Sequence, residues 1–304
     1  MAEGSYRLGS LTLRNPVLLA SGIWGESGRS MAEAYRAGAG AVVSKSIGTL
    51  PRAGYPNPTV EVLGPWGMLN AMGLPNPGME RYPEEIAEAR ALGTPIVGSL
   101  FGKDADEFAS LARSMARTGV VALELNLSCP HAKGYGSELG QDPEAVREVV
   151  RAVKGAVSLP VWAKITPNTH DPAGLAEAAE SAGADAITAI NTVRALAIDP
   201  TLARPVLAHG TGGLSGPALK PIGLACVWSI FDRVRIPIVG VGGIATGDDA
   251  YEYVLAGARA IEVGTAVSTH GVSVLGSVAR GLEEQVRRGG FPDLDHAVGA
   301  AHPR

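Results

Sequence analysis

The chain has 304 residues, 26 Lys+Arg against 30 Asp+Glu, a formal net charge of −4 and 46% apolar residues, a globular composition long enough for one large α/β barrel or two ordinary domains. A mildly acidic chain without a Lys/Arg run argues against nucleic acid as the main partner; no apolar run approaches ~18 residues, so no membrane span is expected, and the start MAEGSYRL has neither the basic nor the apolar region of a secretion signal. Cys129 and Cys226 are the only cysteines, too few for an iron–sulfur cluster, a Cys-only zinc site or a disulfide framework, so a reducing, cytoplasmic setting is expected.

In chain order, Tyr6–Leu8 and Leu11–Leu13, hinged at Gly9-Ser10, read as a hairpin that plugs the bottom of a barrel. Short runs rich in Val, Ile and Ala follow at residues 16–20, 41–45, 95–100, 120–126, 160–165, 185–191, 236–240 and 259–263. Their nearly continuous apolar character fits strands buried on both faces of a parallel sheet. Helical spacing separates them: Phe108, Leu111, Ala112 and Met115; Val146, Val149, Val150 and Val153; Leu175, Ala178, Ala179 and Ala182. Asp142-Pro143 and Asp171-Pro172 are N-cap plus first-turn signals. Cys226 shares a helical face with Leu219, Ile222 and Ile230 and reads as helix core. Eight strands, each followed by a helix or a long insert, count out a (β/α)₈ TIM barrel. Inserts are expected after strands 2 (about 48–79), 4 (about 132–140, carrying Gly134, Gly136 and Gly140 as a lid candidate) and 6 (about 192–217). No composition shift marks a linker, so residues 1–304 are expected to form one domain.

Chemistry-bearing residues fall at the C-terminal ends of these strands, where barrel enzymes build their sites. Ser21, Lys45, Asn126, Lys164 and Asn191 end strands 1, 2, 4, 5 and 6, while Gly242-Gly243 and Gly264-Thr265 follow strands 7 and 8. The two glycine turns offer bare amides where barrels bind phosphate. The two lysines read either as a Schiff-base amine or as charge aimed at a developing anion. Lysines on two different strands favour the second. Cys129 lies in a polar loop just past strand 4, where a neighbouring cation would favour a thiolate. His131 beside it suggests a Cys–His dyad, but no oxyanion-hole partner is evident. Tyr55 and Trp66 of the first insert either cover the site or pack against apolar neighbours. No metal-ligand spacing occurs, so no metal is expected.

Together the stretches NPVLLASG (15–22), SKS (44–46), GMLNAMGLPNPG (67–78), NLSCPH (126–131), NT (191–192), TGGLSGPALKP (211–221), GVGGI and GTA resemble the dihydroorotate dehydrogenase family over nearly the whole chain. The resemblance implies a barrel with one FMN, oxidising (S)-dihydroorotate to orotate in de novo pyrimidine biosynthesis. Cys129 matches the base that removes the C5 proton while C6 gives a hydride to flavin N5. The membrane-bound class has serine there, so this chain looks like class 1. Lys45, Asn70, Ala71, Met72, Gly73, Leu74, Asn126, Asn191 and Thr192 match the substrate cradle. Ser21, Lys45, Ser46, Asn126, Lys164, Ile190, Gly216, Gly242, Gly243, Gly264 and Thr265 match FMN contacts. Segment 67–78 looks closer to the class 1B form, a homodimeric core in a heterotetramer whose partner subunit carries FAD and a [2Fe–2S] cluster and reduces NAD⁺.

Two departures qualify the match. His131 stands where many class 1 members have Asn, and a Cys-Pro-His motif also occurs in dihydropyrimidine dehydrogenases, so reduction of uracil or thymine is the nearest alternative. Gly98-Ser99-Leu100 has no counterpart of the family's flavin-contacting Asn after strand 3. A barrel aldolase using Lys45 or Lys164 and a non-catalytic phosphate binder are the competing classes. A tRNA dihydrouridine synthase would need a helical RNA-binding domain and a basic surface, and neither is visible.

Overall fold

Eight parallel strands close on themselves in the computed structural model, which describes residues 5–127 and 139–303. They are β1 (Val17–Leu19), β2 (Val42–Val43), β3 (Ile96–Leu100), β4 (Ala122–Asn126), β5 (Val161–Lys164), β6 (Ala186–Ala189), β7 (Ile238–Val241) and β8 (Ala260–Val263). Each pairs with its neighbour in sequence, and β8 returns to β1 through Ile261 opposite Val17. Eight helices clothe the outside: α1 (Gly28–Arg36), α2 (Tyr82–Ala91), α3 (Ala105–Ala116), α4 (Pro143–Ala156), α5 (Pro172–Ser181), α6 (Lys220–Phe231), α7 (Gly247–Leu255) and α8 (Val274–Arg288). The strand count and the barrel expected from the apolar runs are those observed. No helix among the described residues is long and apolar enough to cross a membrane.

The helices form where the sequence signals them. Asp142 and Asp171 accept from the backbone amides of Glu144 and Gly174, with proline in the first turn of α4 and α5. Phe108, Leu111, Ala112 and Met115 of α3 and the four valines of α4 face the strands and are buried. Cys226 and Ile230 of α6 are buried as expected, but Ile222 is 41% exposed. Four positions before Cys226 the apolar stripe has already rotated toward solvent.

Inside the barrel the period-two alternation of a strand decides everything. Ala122, Trp162, Ala186 and Ala260 join Leu18, Val43, Val97 and Val239 in one apolar cluster, closed below by Leu8 and Leu13 of the hairpin. Two residues further along the same strands come Glu124, Lys164, Thr188 and Glu262, all buried. Two further still comes Asn126, at the mouth. The interior is therefore apolar at its base and polar toward its C-terminal end.

The inserts after β2 and β6 are not the loops that their Gly, Pro and Asn content suggests. They combine into one four-stranded antiparallel sheet in the spatial order Val193–Ala195, Gly212–Ser215, Met68–Asn70, Val60–Val62. Its strands of three or four residues are too short to show a period, and the central pair, Met68–Asn70 with Gly212–Ser215, joins segments more than a hundred residues apart. Asn70 is in register with Gly213. The insert expected after β4 falls almost wholly outside the described residues.

Truncating the plug tests this packing. Leu13→Ala opens a void beneath the apolar cluster and is expected to cost about 2–5 kcal/mol in urea unfolding. An unchanged midpoint would mean that the hairpin is not part of the core.

Candidate active site

A cavity of about 430 Å³ opens at the C-terminal mouth, between the barrel and the insert sheet. Nearly every residue singled out from the sequence lines it. Ser21, Lys45, Ser46, Asn126, Lys164, Ile190, Asn191 and Thr192 come from the barrel rim. Asn70, Met72, Gly73 and Leu74 come from the first insert, Gly216 from the second, and Gly242, Gly243, Gly264 and Thr265 from the turns after β7 and β8. Ala71 does not belong with them: it packs away from the cavity with Leu69 and Leu207. Strand alternation explains this, since Met68, Asn70 and Met72 take the cavity face and Leu69 and Ala71 the other. Trp66 is 69% exposed and does not line the cavity, and Tyr55 stacks on His209 at 4.0 Å. Cys129 and His131 lie outside the described residues.

The polar wall is fixed by its own hydrogen bonds. Asn191 Nδ2 donates to Asn126 Oδ1 at 3.2 Å, Asn126 Nδ2 to Ser46 Oγ at 3.2 Å, and Ser46 bonds Ser99 at 2.8 Å. The backbone N–H of Thr192 donates to Asn191 Oδ1, and Asn168, which the sequence reading missed, holds the Thr192 carbonyl. From the opposite wall Asn70 Nδ2 donates to the Gly213 carbonyl at 3.2 Å, across the joint between the two inserts. Three amide planes are thus held in place around one space. Such groups offer both donors and acceptors, which suits a planar heterocycle alternating N–H and C=O. Ser99, at the end of β3 where no contact could be assigned from sequence, acts through Ser46.

At the turn after β7 the backbone approaches so closely that a side chain is excluded. A Cβ on Gly243 (φ +70°) would sit 2.6 Å from the Lys220 amide nitrogen and 2.9 Å from the Gly216 carbonyl oxygen. Helix α7 caps itself: Thr246 and Asp249 form a capping box, and Asp249 also accepts from the Ala245 amide. After β7, therefore, the glycine turn rather than the α7 end is left to meet an anion. Thr265 Oγ1 donates to Ser215 Oγ at 2.8 Å and ties the β8 turn to the insert sheet.

The two lysines differ sharply in surroundings. Lys45 Nζ lies 3.0 Å from Glu26, whose side chain is 64% exposed, a pair worth about 1 kcal/mol or less. Lys164 is buried, with Nζ 2.9 Å from Glu262, 3.4 Å from Glu124 and 3.3 Å from Ser21 Oγ. Burial alone would lower its pKa, but the two carboxylates outweigh burial and hold it above the usual lysine range. Its two carboxylate partners favour the protonated amine, which argues against a Schiff-base role for Lys164. Neither glutamate was singled out from the sequence. The signal was there: each sits two residues before a rim position, Glu124 before Asn126 and Glu262 before Gly264, and so must face inward.

Comparison with known proteins places these features in context. The sequence profile of the family described as Dihydroorotate dehydrogenase matches residues 5–286. The catalytic subunit of dihydroorotate dehydrogenase B (NAD(+)) from Pyrococcus furiosus is 49% identical over 96% of both chains. The same subunit from Thermococcus kodakarensis is 48% identical over 99% of both, and that from Methanocaldococcus jannaschii 47% over 96% of both.

The close approach at Gly243 makes a direct test. Gly243→Ala must displace backbone at the turn after β7, and is expected to weaken binding of a phosphate monoester at least tenfold by equilibrium dialysis. Unchanged binding would move the anion site elsewhere.

Proposed function

The chain belongs to the dihydroorotate dehydrogenase family, and from that membership we propose that it is the FMN-bearing catalytic subunit of a two-subunit enzyme that oxidises (S)-dihydroorotate to orotate for pyrimidine biosynthesis and passes the electrons to NAD⁺. The observation that carries the reading is the convergence on one cavity of a fixed amide wall (Asn70, Asn126, Asn191), a cation (Lys45) and a side-chain-free glycine cradle (Gly216, Gly242, Gly243). The cradle fits a phosphate and the amide wall a pyrimidine ring, so the residues present fit FMN beside its substrate. When bound, FMN would supply the hydride acceptor for oxidation of the substrate.

The chain's own residues supply the rest. Gly242, Gly243, Gly264 and Thr265 would hold the phosphate, and Ser21, Ser46, Ile190 and Lys164 the ring system. Asn70, Met72, Gly73, Leu74, Asn126, Asn191 and Thr192 would orient the substrate, with Lys45 between substrate and cofactor. Ala71 would act only through the packing of its strand. Cys129 follows Asn126 by three residues, and its thiolate would take the C5 proton. A neighbouring cation would lower the cost of that thiolate. Cys226 is a contrast: burial pushes its thiol up to about 11, so it stays protonated and inert.

We place the chain in the cytoplasm, as a homodimeric core with a partner subunit carrying FAD and a [2Fe–2S] cluster. The NAD(+) in the names of the relatives supports this acceptor. The test is a turnover assay of the purified chain with dihydroorotate and an artificial acceptor, NAD⁺ or fumarate, before and after the partner subunit is added. Activity with the artificial acceptor alone, and with NAD⁺ only after addition, is expected. Efficient fumarate turnover by the chain alone would overturn the partner assignment.

Cys129→Ser is expected to retain FMN but slow flavin reduction by dihydroorotate roughly 10²-fold or more at neutral pH, measured by anaerobic stopped flow. Cys226→Ala should leave that rate within about twofold, since it contributes packing only. Reduction at the wild-type rate in Cys129→Ser would sink the base assignment.

A further inference from the structure

Glu124, Lys164 and Glu262 are the only charged side chains in the eight barrel strands, and all three meet in the same interior layer. Both glutamates are fully buried, and Lys164 is 4% exposed. Lys164 reaches Glu124 Oε1 and Glu262 Oε2, while Glu124 Oε2 and Glu262 Oε1 are buried without a hydrogen-bond partner. Around them stand neutral groups: Ser21 after β1, and Thr188 of β6, in register with Lys164. The next charge, Lys45 after β2, is paired with Glu26 at the rim. One cation facing two carboxylates would leave an uncompensated negative charge in a dry interior, among the costliest arrangements a fold can hold.

We propose that Glu124 and Glu262 share one proton on the oxygens that Lys164 does not reach, so that the three side chains form a net-neutral floor under the cavity. The shared proton satisfies two orphaned oxygens at once and cancels the excess charge. Burial, and then the neighbouring Glu124, hold the Glu262 carboxyl well above the usual carboxylate range, with Lys164 offsetting them only in part. Glu124 and Glu262 are positioning residues: they set the charge at the floor of the cavity through Lys164, the member of the three that the functional reading gives to the flavin ring. Their consequence for catalysis rests on the FMN reading above, whereas the proton count rests on the three side chains alone. An anionic floor would oppose electrons arriving on the cofactor, and a neutral one does not.

The decisive measurement is the infrared spectrum of the protein at pH 8, where ordinary carboxyls, with pKa values near about 4, are ionised. A protonated carboxylic-acid band is expected in the wild type. It is expected to vanish in Glu124→Gln and equally in Glu262→Gln, because the remaining carboxylate then has Lys164 to itself and ionises. Absence of the band in the wild type, or its survival in either variant, overturns the shared proton. If one variant does not fold, the other reads the same loss.

The midpoint potential of bound FMN at pH 7 then reads the charge independently. Each single variant keeps the net charge of the wild-type floor and should leave the potential unchanged, while the double variant gains a positive charge and should raise it. A rise in both single variants would mean that both glutamates are ionised in the wild type. A chain that binds no FMN would defeat the functional reading and leave the infrared result standing.

Discussion

A closed parallel barrel forces every second side chain of every strand into an interior from which it cannot escape. In this chain that constraint sorts the interior by height. Ala, Val, Leu and Trp fill the base, where only the apolar hairpin meets them. Charge appears one layer higher, and there it is cross-paired from three strands. The amides at the mouth stand on that layer: Asn126 lies two residues beyond Glu124 on the same strand, and Lys164 is its neighbour in register on β5. Site and core are thus successive floors of one structure, and a change in the charged floor bears on everything above it.

Closure of the site from above depends on a second, nonlocal device. Each insert supplies two short strands to one sheet. Paired, they place Asn70 against Gly213 and bring the amide wall of the first insert over the rim of β6. Gly67 shows how tight the joint is, since a Cβ there would lie 2.0 Å from the Ser215 carbonyl oxygen. The same segment continues through Gly216 into the glycine cradle. One sheet therefore joins the amide wall to the glycine turns of the cavity, which brings residues scattered from 67 to 265 together.

Much of this was legible in the sequence, and the limits have physical causes. Buried parallel strands announce themselves as apolar runs, and Asp-Pro pairs announce helix starts, so the barrel could be counted out. Residues ending those strands must converge, so Lys45, Asn126, Lys164 and Asn191 could be grouped without a structure. The insert sheet was hidden because pairing across more than a hundred residues leaves no local period. Ala71 was misplaced because family motifs mark whole segments, whereas alternation assigns each side chain a face. Glu124 and Glu262 were overlooked because each is a single charge within an apolar run, although counting two residues back from the rim would have found both. Lys164 was read as charge aimed at a developing anion, without the two carboxylates that pair with it. The roles of the Cys129 loop rest on sequence likeness alone.

On the proposed reading the cavity holds a flavin which dihydroorotate reduces. Anaerobic titration of the purified chain with dihydroorotate, followed by visible absorbance, tests it most directly. A yellow protein whose absorbance bleaches with about one equivalent of dihydroorotate per flavin, and is untouched by dihydrouracil, is the predicted result. A colourless protein, or a flavin bleached by dihydrouracil and indifferent to dihydroorotate, would contradict it.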